Sequence, residues 1–197
     1  MKFEKIQKTF TRIPKLESPR LILRKMLLTD AGDMFEYAKR EDVTRFLLWS
    51  PHPNREHTKE YLSFLQQEYR NGNFYDWAVT LKERKKMIGT CGFASFDPVD
   101  NSAEIGYVIN PEYRNFGFAT EAVLTVMEFG FFRLDLHRIE ARFLVGNDAS
   151  RRVMEKCGMR FEGIHRDGVF VKGRYRDVGY YAILKNEYIE MIGKIKS

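Results

Sequence analysis

Glu104-Ile105-Gly106-Tyr107-Val108-Ile109-Asn110-Pro111-Glu112-Tyr113-Arg114-Asn115-Phe116-Gly117-Phe118-Ala119-Thr120 reads as a strand, a short turn and the mouth of a helix. That order builds an anion site out of main chain. The first turn of a helix has N–H groups without intrahelical partners and the positive end of the dipole, so phosphate oxygens are favoured there. Gly117 has no side chain, which lets a ligand approach the backbone closely, and Arg114 adds a fixed positive charge at the rim. The stretch is a candidate pyrophosphate cradle, weighed against ordinary turn chemistry at Gly117. It lacks the Gly-x-x-x-x-Gly-Lys-Ser/Thr string of a nucleoside-triphosphate loop and the three spaced glycines of a dinucleotide fingerprint.

Working outward, the residues after the turn give the clearest helix of the chain. Ala119, Ala122, Val123, Val126, Met127, Gly130, Phe131 and Leu134 recur at three- and four-residue steps and form one apolar face. Before the turn, Asp76–Leu81, Lys86–Phe96 and Ala103–Ile109 read as strands joined by the short polar connections 82–85 and 97–101, so this part of the sheet is expected to be antiparallel. Arg20–Arg24 after Pro19 is a first strand. A helix is expected from Asp30 and another over 55–70, ending at Asn71-Gly72. On the far side, His137–Val145 alternates as a strand, Asn147-Asp148-Ala149-Ser150 opens a helix that stops at Gly158, and Met159–Ile164 pairs with Tyr175–Leu184 in a last hairpin. The predicted fold class is α/β, a mixed and mostly antiparallel central sheet with helices on both faces. Residues 1–15 read as a basic arm, and 16–190 as a single domain.

The 197 residues, 44% hydrophobic and 14% aromatic, suffice for one well-filled core and exclude a disordered chain. The net charge of +6 suits contact with phosphates, acidic protein or nucleic acid and does not choose among them. Cys91 and Cys157 form no metal or redox spacing and fit a reducing compartment. No apolar run is long enough to span a bilayer, and the expected location is cytoplasmic, with no membrane partner. His52, His57, His137 and His165 give no pair with metal-ligand spacing, so no metal is expected. Trp49, Phe74, Tyr75 and Trp77 are either cleft walls or core.

Arg114-x-x-Gly117-x-Ala119 resembles the coenzyme A signature of the GNAT acetyltransferase superfamily. The string from Ala103 to Ala122 is similar to the branch that holds the ribosomal-protein N-terminal acetyltransferases (RimJ/RimL-like). Further pieces match in order: Leu16–Arg24 its opening strand, Trp49-Ser50-Pro51-His52-Pro53 its tryptophan-proline loop, Asn147–Met159 its later helix, and Gly173–Val178 its closing hairpin. The resemblance spans about residues 16–185.

That resemblance implies a GNAT-like fold, with acetyl-CoA as the acyl donor and no metal. It implies that Val108 and Ile109 pair with the pantetheine amides, and that the N–H groups of Asn115, Phe116, Gly117, Phe118, Ala119 and Thr120, with Arg114, receive the pyrophosphate. By the same likeness a primary amine attacks the thioester directly, and a main-chain N–H near Val108 or Ile109 steadies the oxyanion. Glu104 is then the candidate base, directly or through water, unless it is an exposed strand-end carboxylate. Ser150 is the candidate acid near the thiol sulfur, alongside a helix-capping role. Asn147 contacts pantetheine while capping the helix. Arg151, Arg152 and Lys156 meet the 3′-phosphate or form a solvated face. The branch can carry a glutamate base in the closing hairpin; here Val169 or one of its neighbours falls at that place, with Asp167 the nearest carboxylate. The expected acceptor is a protein N-terminus of the ribosomal type. The alternatives are a small amine (amino sugar, polyamine or amino acid) and a non-catalytic acyl-CoA-binding regulator. Nucleic acid enters only through the ribosome, and the chain is expected as a monomer or homodimer.

Overall fold

Strand Asp76–Leu81 shows how the sequence divides the molecule. Its odd residues Trp77 and Val79 enter one apolar cluster, and Ala78 enters another on the opposite face, as the two-residue period of a strand requires. The computed structural model describes residues 3–196. In chain order these form α1 (Phe3–Phe10), β1 (Leu16–Glu17), β2 (Leu21–Arg24), a 3₁₀ turn running into α2 (Ala31–Ala38), α3 (Glu41–Thr44), α4 (Arg55–Asn71), β3 (Asp76–Leu81), β4 (Met87–Asp97) and β5 (Ser102–Ile109). There follow α5 (Phe118–Phe132), β6 (Arg138–Leu144), α6 (Asp148–Lys156), β7 (Arg160–Val171), β8 (Arg174–Leu184) and α7 (Lys185–Lys196).

The sheet order is β1-β2-β3-β4-β5-β6-β8-β7. All neighbours are antiparallel except β5 and β6. That parallel pair holds over only Ser102↔Arg138, Ala103↔Ile139 and Glu104↔Glu140. Beyond Glu104 the strands part, so β5 from Ile105 to Ile109 has no strand on its β6 side. A bulge in β4 between Phe93 and Ser95 sits opposite Ile105 and Glu104, and bulges add local twist. The opening therefore starts where the sheet is bent.

Two cores hold the sheet. On one face, α1, α5, α6 and α7 bury Phe10, Val126, Met127, Met154 and Tyr188 against β2–β6. On the other, α2 and α4 bury Met34, Leu62 and Leu65 against Met26, Ala78 and Met87. Asn54 accepts the His57 N–H at 2.8 Å and caps α4 at its start. Gly72, at φ 69°, ends that helix, as the Asn71-Gly72 pair predicts.

The structure departs from the sequence reading at both ends. The segment expected as an arm carries α1, whose Ile6 and Phe10 are fully buried, and the Pro14 carbonyl accepts the Trp77 indole N–H at 2.7 Å. Residues 1 and 2 of that arm lie outside the described residues. At the other end, α7 continues directly from β8 and buries Tyr188. The closing hairpin is also longer than expected: β7 and β8 are joined only by Lys172-Gly173, both at positive φ (51° and 77°), the backbone that a two-residue hairpin turn needs. Cys91 and Cys157 are free and buried. No helix among the described residues is long and apolar enough to cross a membrane.

Candidate active site

The parting of β5 from β6 leaves two adjoining cavities. The first, of about 420 Å³, lies at the mouth of α5. Val108, Ile109, Arg114, Asn115, Gly117, Phe118, Ala119, Thr120, Asn147 and Ser150 all line it. Phe116 does not: its ring is exposed and lines a neighbouring concavity with Arg20, Lys82 and Arg84. The first bond of α5 runs from the Glu121 N–H to the Gly117 carbonyl at 3.0 Å. The N–H groups of Phe118, Ala119 and Thr120 are thereby left at the helix mouth. Gly117 precedes them at φ 82°, a backbone that a side chain strains, so glycine is needed there for conformation as well as for access.

That loop is held from behind. Glu121 accepts from the Ser18 hydroxyl (2.7 Å), the Arg20 N–H (2.8 Å) and Arg20 Nε (2.6 Å), while Arg20 also donates to the Phe116 carbonyl at 2.9 Å. Burial would raise the Glu121 carboxyl, but Ser18 and Arg20 hold it below the ordinary value. Around the rim, Arg45, Arg114, Arg152 and Lys156 give the cavity its cations. Burial and then the nearness of Arg40 and Arg45 depress the Arg114 guanidinium, against Asp42. Arg151 is engaged with Asp148 and Glu155. Unpaired N–H groups, a helix dipole and clustered cations fit a diphosphate.

The second cavity, of about 330 Å³, lies on the other side of β5. Its walls are mostly apolar, including Phe46, Leu47, Trp49 and Tyr61, and two carboxylates, Asp76 and Glu104, line it. Arg142 Nε pairs with Glu104 at 2.8 Å. Burial raises the Glu104 carboxyl, and Arg142 opposes this only in part. Asp76 has no such cation among the described residues. Its Oδ1 accepts the Trp77 N–H at 3.0 Å, and burial pushes its carboxyl up to about 7 against the hydrogen bonds from Thr90 and Trp77. Val169 lines the cavity, whereas Asp167 is exposed near the far end of the closing hairpin. Trp77 belongs to the core and Trp49 to the cavity wall.

Tyr107, Val108, Asn147 and Ser150 face both cavities. The Tyr107 hydroxyl donates to the Ser150 carbonyl at 2.9 Å and lies 3.0 Å from Ser150 Oγ. Burial raises the Tyr107 phenol well beyond its ordinary value, so it keeps its proton. Asn147, not Ser150, caps α6: its Oδ1 accepts the Ser150 N–H at 3.3 Å. The Ser150 hydroxyl is thereby left to Tyr107. His52 bonds Thr58 Oγ1 through Nδ1 at 2.9 Å, and burial followed by His57 lowers its affinity for a proton. Among the described residues, no three His, Cys, Asp or Glu side chains gather as metal ligands.

Two functional candidates were missed by the sequence reading, Asp76 and Tyr107. The one local sign for Asp76 is a carboxylate opening the otherwise apolar strand Asp76-Trp77-Ala78-Val79.

The sequence pattern of the acetyltransferase (GNAT) domain matches residues 20–160. An uncharacterized N-acetyltransferase, p20, of Bacillus licheniformis is 34% identical over 173 residues, covering 88% of this chain and 97% of its own. The spermidine N(1)-acetyltransferase of Vibrio cholerae is 30% identical over 127 residues, 62% of this chain and 73% of its own. The solved RimL ribosomal L7/L12 α-N-protein acetyltransferase in complex with coenzyme A superposes with a TM-score of 0.73 at 21% identity, over 87% of this chain and 98% of that one; at that identity the likeness is one of fold.

Proposed function

The chain belongs to the acetyltransferase (GNAT) family, and from that premise we propose that it moves an acetyl group from acetyl-CoA to a primary amine, with a protein N-terminus as the acceptor. The observation that carries the proposal is the junction of two cavities of opposite character. One is rimmed by helix N–H groups and arginines, the other is lined by carboxylates and apolar rings, and Tyr107, Val108 and Ser150 form walls of both.

Acetyl-CoA, when bound, supplies an acyl thioester as the electrophile. The N–H groups from Asn115 to Thr120, with Arg114, would hold its pyrophosphate. The unpaired edge of β5 at Val108 and Ile109 offers main-chain groups to the pantetheine amides, and Asn147 keeps its amide N–H₂ free to donate while its oxygen caps α6. On the acceptor side, Glu104 and Asp76 are the groups able to take a proton from an ammonium. Ser150 Oγ stands between the cavities as a proton donor, backed by Tyr107. Walls that hold both reactants in one cleft supply much of the remaining rate gain.

The relatives divide between a ribosomal protein and a polyamine as acceptor, by their names. The cavity favours the first class. Of its two carboxylates one is already paired with Arg142, which leaves one unpaired anion for an ammonium and mostly apolar wall for what carries it. A single α-amine on a terminal residue suits that charge count; the further ammonium groups of a polyamine would lie unpaired against apolar rings.

The test is thermal shift with acetyl-CoA, followed by thiol release with free-amine peptides, the same peptides N-acetylated, and spermidine. A shift with acetyl-CoA, and thiol released by the free peptides alone, is the expected result. No shift removes the cofactor reading; release by spermidine but not by peptides moves the acceptor to small amines; a shift without any release supports a binding protein.

A further inference from the structure

We infer that the acceptor's ammonium docks beside Asp76 and Tyr37 and hands its proton to the Asp76 carboxylate, so that Asp76, and not only Glu104, is a catalytic residue. The inference rests on the acetyl-transfer reading and goes deeper into the same site.

Four observations meet at that end of the cavity. First, Asp76 opens β3 and lines the cavity, with Trp77 N–H and Thr90 as its hydrogen-bond donors. Among the described residues, no Lys, Arg or His forms an ion pair with it. Second, Tyr37 lines the same cavity, and its hydroxyl is buried and has no hydrogen-bond partner among the described residues. A buried hydroxyl left unpaired costs about 1–3 kcal/mol, and native proteins seldom tolerate that without a use or a missing partner. An ammonium would satisfy Tyr37 through its oxygen and Asp76 through its charge. Third, the groups facing Asp76 are neutral. Tyr37 on α2, Tyr61 and Tyr69 on α4, and the Cys91 thiol on β4 are all pushed upward, by burial first and then by the Asp76 charge or by other neighbours. His52 is held neutral by burial. Fourth, among the described residues the cavity's one guanidinium, Arg142, is spent on Glu104. When Asp76 ionises, a cation from outside can therefore pair with it.

The proton balance closes. An alkylammonium carries one proton more than the attacking amine, and Asp76 takes it and passes it to solvent. The nitrogen lone pair forms the N–C bond while the C–S bond breaks with its electron pair on sulfur. The second N–H proton passes to Asp76, ionised again, as the amide forms, and sulfur gains one from Ser150 Oγ, which solvent replenishes while Tyr107 holds the serine in place. A carboxyl that titrates near neutrality is suited to this exchange, and burial raises Asp76 to about 7.

The test uses the full chain, an Ala-headed peptide amide and benzylamine as probes, and two readouts. In steady-state kinetics at saturating acetyl-CoA, Asp76→Asn is expected to lower kcat/KM at least a hundredfold while the thermal shift with CoA is unchanged. In carbon NMR of protein labelled at the Asp carboxyl, one resonance, absent in Asp76→Asn, is expected to titrate near pH 7 and to move when either amine is added without acetyl-CoA. Asp76→Asn within threefold of wild type, or a resonance that titrates below pH 5 or ignores both amines, overturns the inference. The NMR readout needs no acetyl transfer, so an inactive wild type would sink the transfer reading and leave the Asp76 site to be judged by its own signal.

Discussion

The Tyr107 hydroxyl stands 2.9 Å from the Ser150 carbonyl and 3.0 Å from Ser150 Oγ, across 43 residues of sequence, at the point where the two cavities meet. The phenol is raised by burial and remains protonated throughout the working range. It can hold the serine hydroxyl in place, while the proton that the serine gives away returns from solvent. Ser150→Ala is therefore expected to lower kcat about 10²-fold, the lower end for positioned proton donors, with little change in CoA affinity. Tyr107→Phe should lower kcat less, because the serine hydroxyl remains. Equal rates for wild type and Ser150→Ala would leave the serine a structural part of α6.

Gly117→Val should weaken CoA binding by tenfold or more. At φ 82° a β-branched residue is strained by about 1–3 kcal/mol, while a Cβ there meets only Arg20 Nη2, at an ordinary contact distance of 3.4 Å. Relief of the backbone strain shifts the N–H groups that face the cavity. Calorimetric titration with CoA checks this, and undiminished affinity would rule out the helix mouth as the pyrophosphate seat.

Glu121 ties the same loop to the first strand through Ser18 and Arg20. Its carboxyl is held below the ordinary value, so its ionised form is favoured in the folded state. The stabilisation is present above the unfolded carboxylate value and is lost as pH falls through the depressed one. Glu121→Gln should lower the melting temperature at pH 7, by an amount equivalent to about 1–3 kcal/mol, and the deficit should shrink toward pH 3. A deficit that is the same at both pH values would mean that the charge contributes nothing.

The helix mouth was legible because its chemistry is local. A strand, an Arg, a Gly and an apolar helical face fall within about thirty residues, and the structure places ten of the eleven expected binding residues around one cavity. The α5 face was legible for the same reason, since its period is written in consecutive residues. Helix α1 was not: eight residues give too little period to read, and so short a helix is stable only because Ile6 and Phe10 are buried by partners far away in sequence. Asp76 escaped notice because its one local sign, a carboxylate at the start of an apolar strand, is ordinary at a strand end. Its environment is made by α2, α4 and β4 closing over it. The partner of Glu104, Arg142, lies on β6, and the pair forms only where the sheet begins to part.

The burial that prepares Asp76 for proton transfer should cost stability, and the cost has a pH signature. In the unfolded chain this carboxyl ionises near pH 4, whereas in the folded protein it holds its proton to about 7. Between those values the native state binds more protons than the unfolded state, so stability falls as pH rises through the window and is flat on either side. The full difference corresponds to about 4 kcal/mol at 1.36 kcal/mol per pH unit, as an upper bound. Asp76→Asn keeps an oxygen for the Trp77 N–H and removes the titration. Any packing or hydrogen-bond loss in the variant acts equally at every pH, and the titration of Glu104, common to both proteins, cancels in their difference. What isolates Asp76 is the change in the melting-temperature difference between pH 4.5 and pH 8. At about 2–4 °C per kcal/mol for a domain of this size, the variant should gain about 5 °C or more on wild type across that range. A difference that stays constant would mean that Asp76 is ionised in the folded protein from pH 4.5 upward, and that the cavity solvates its charge.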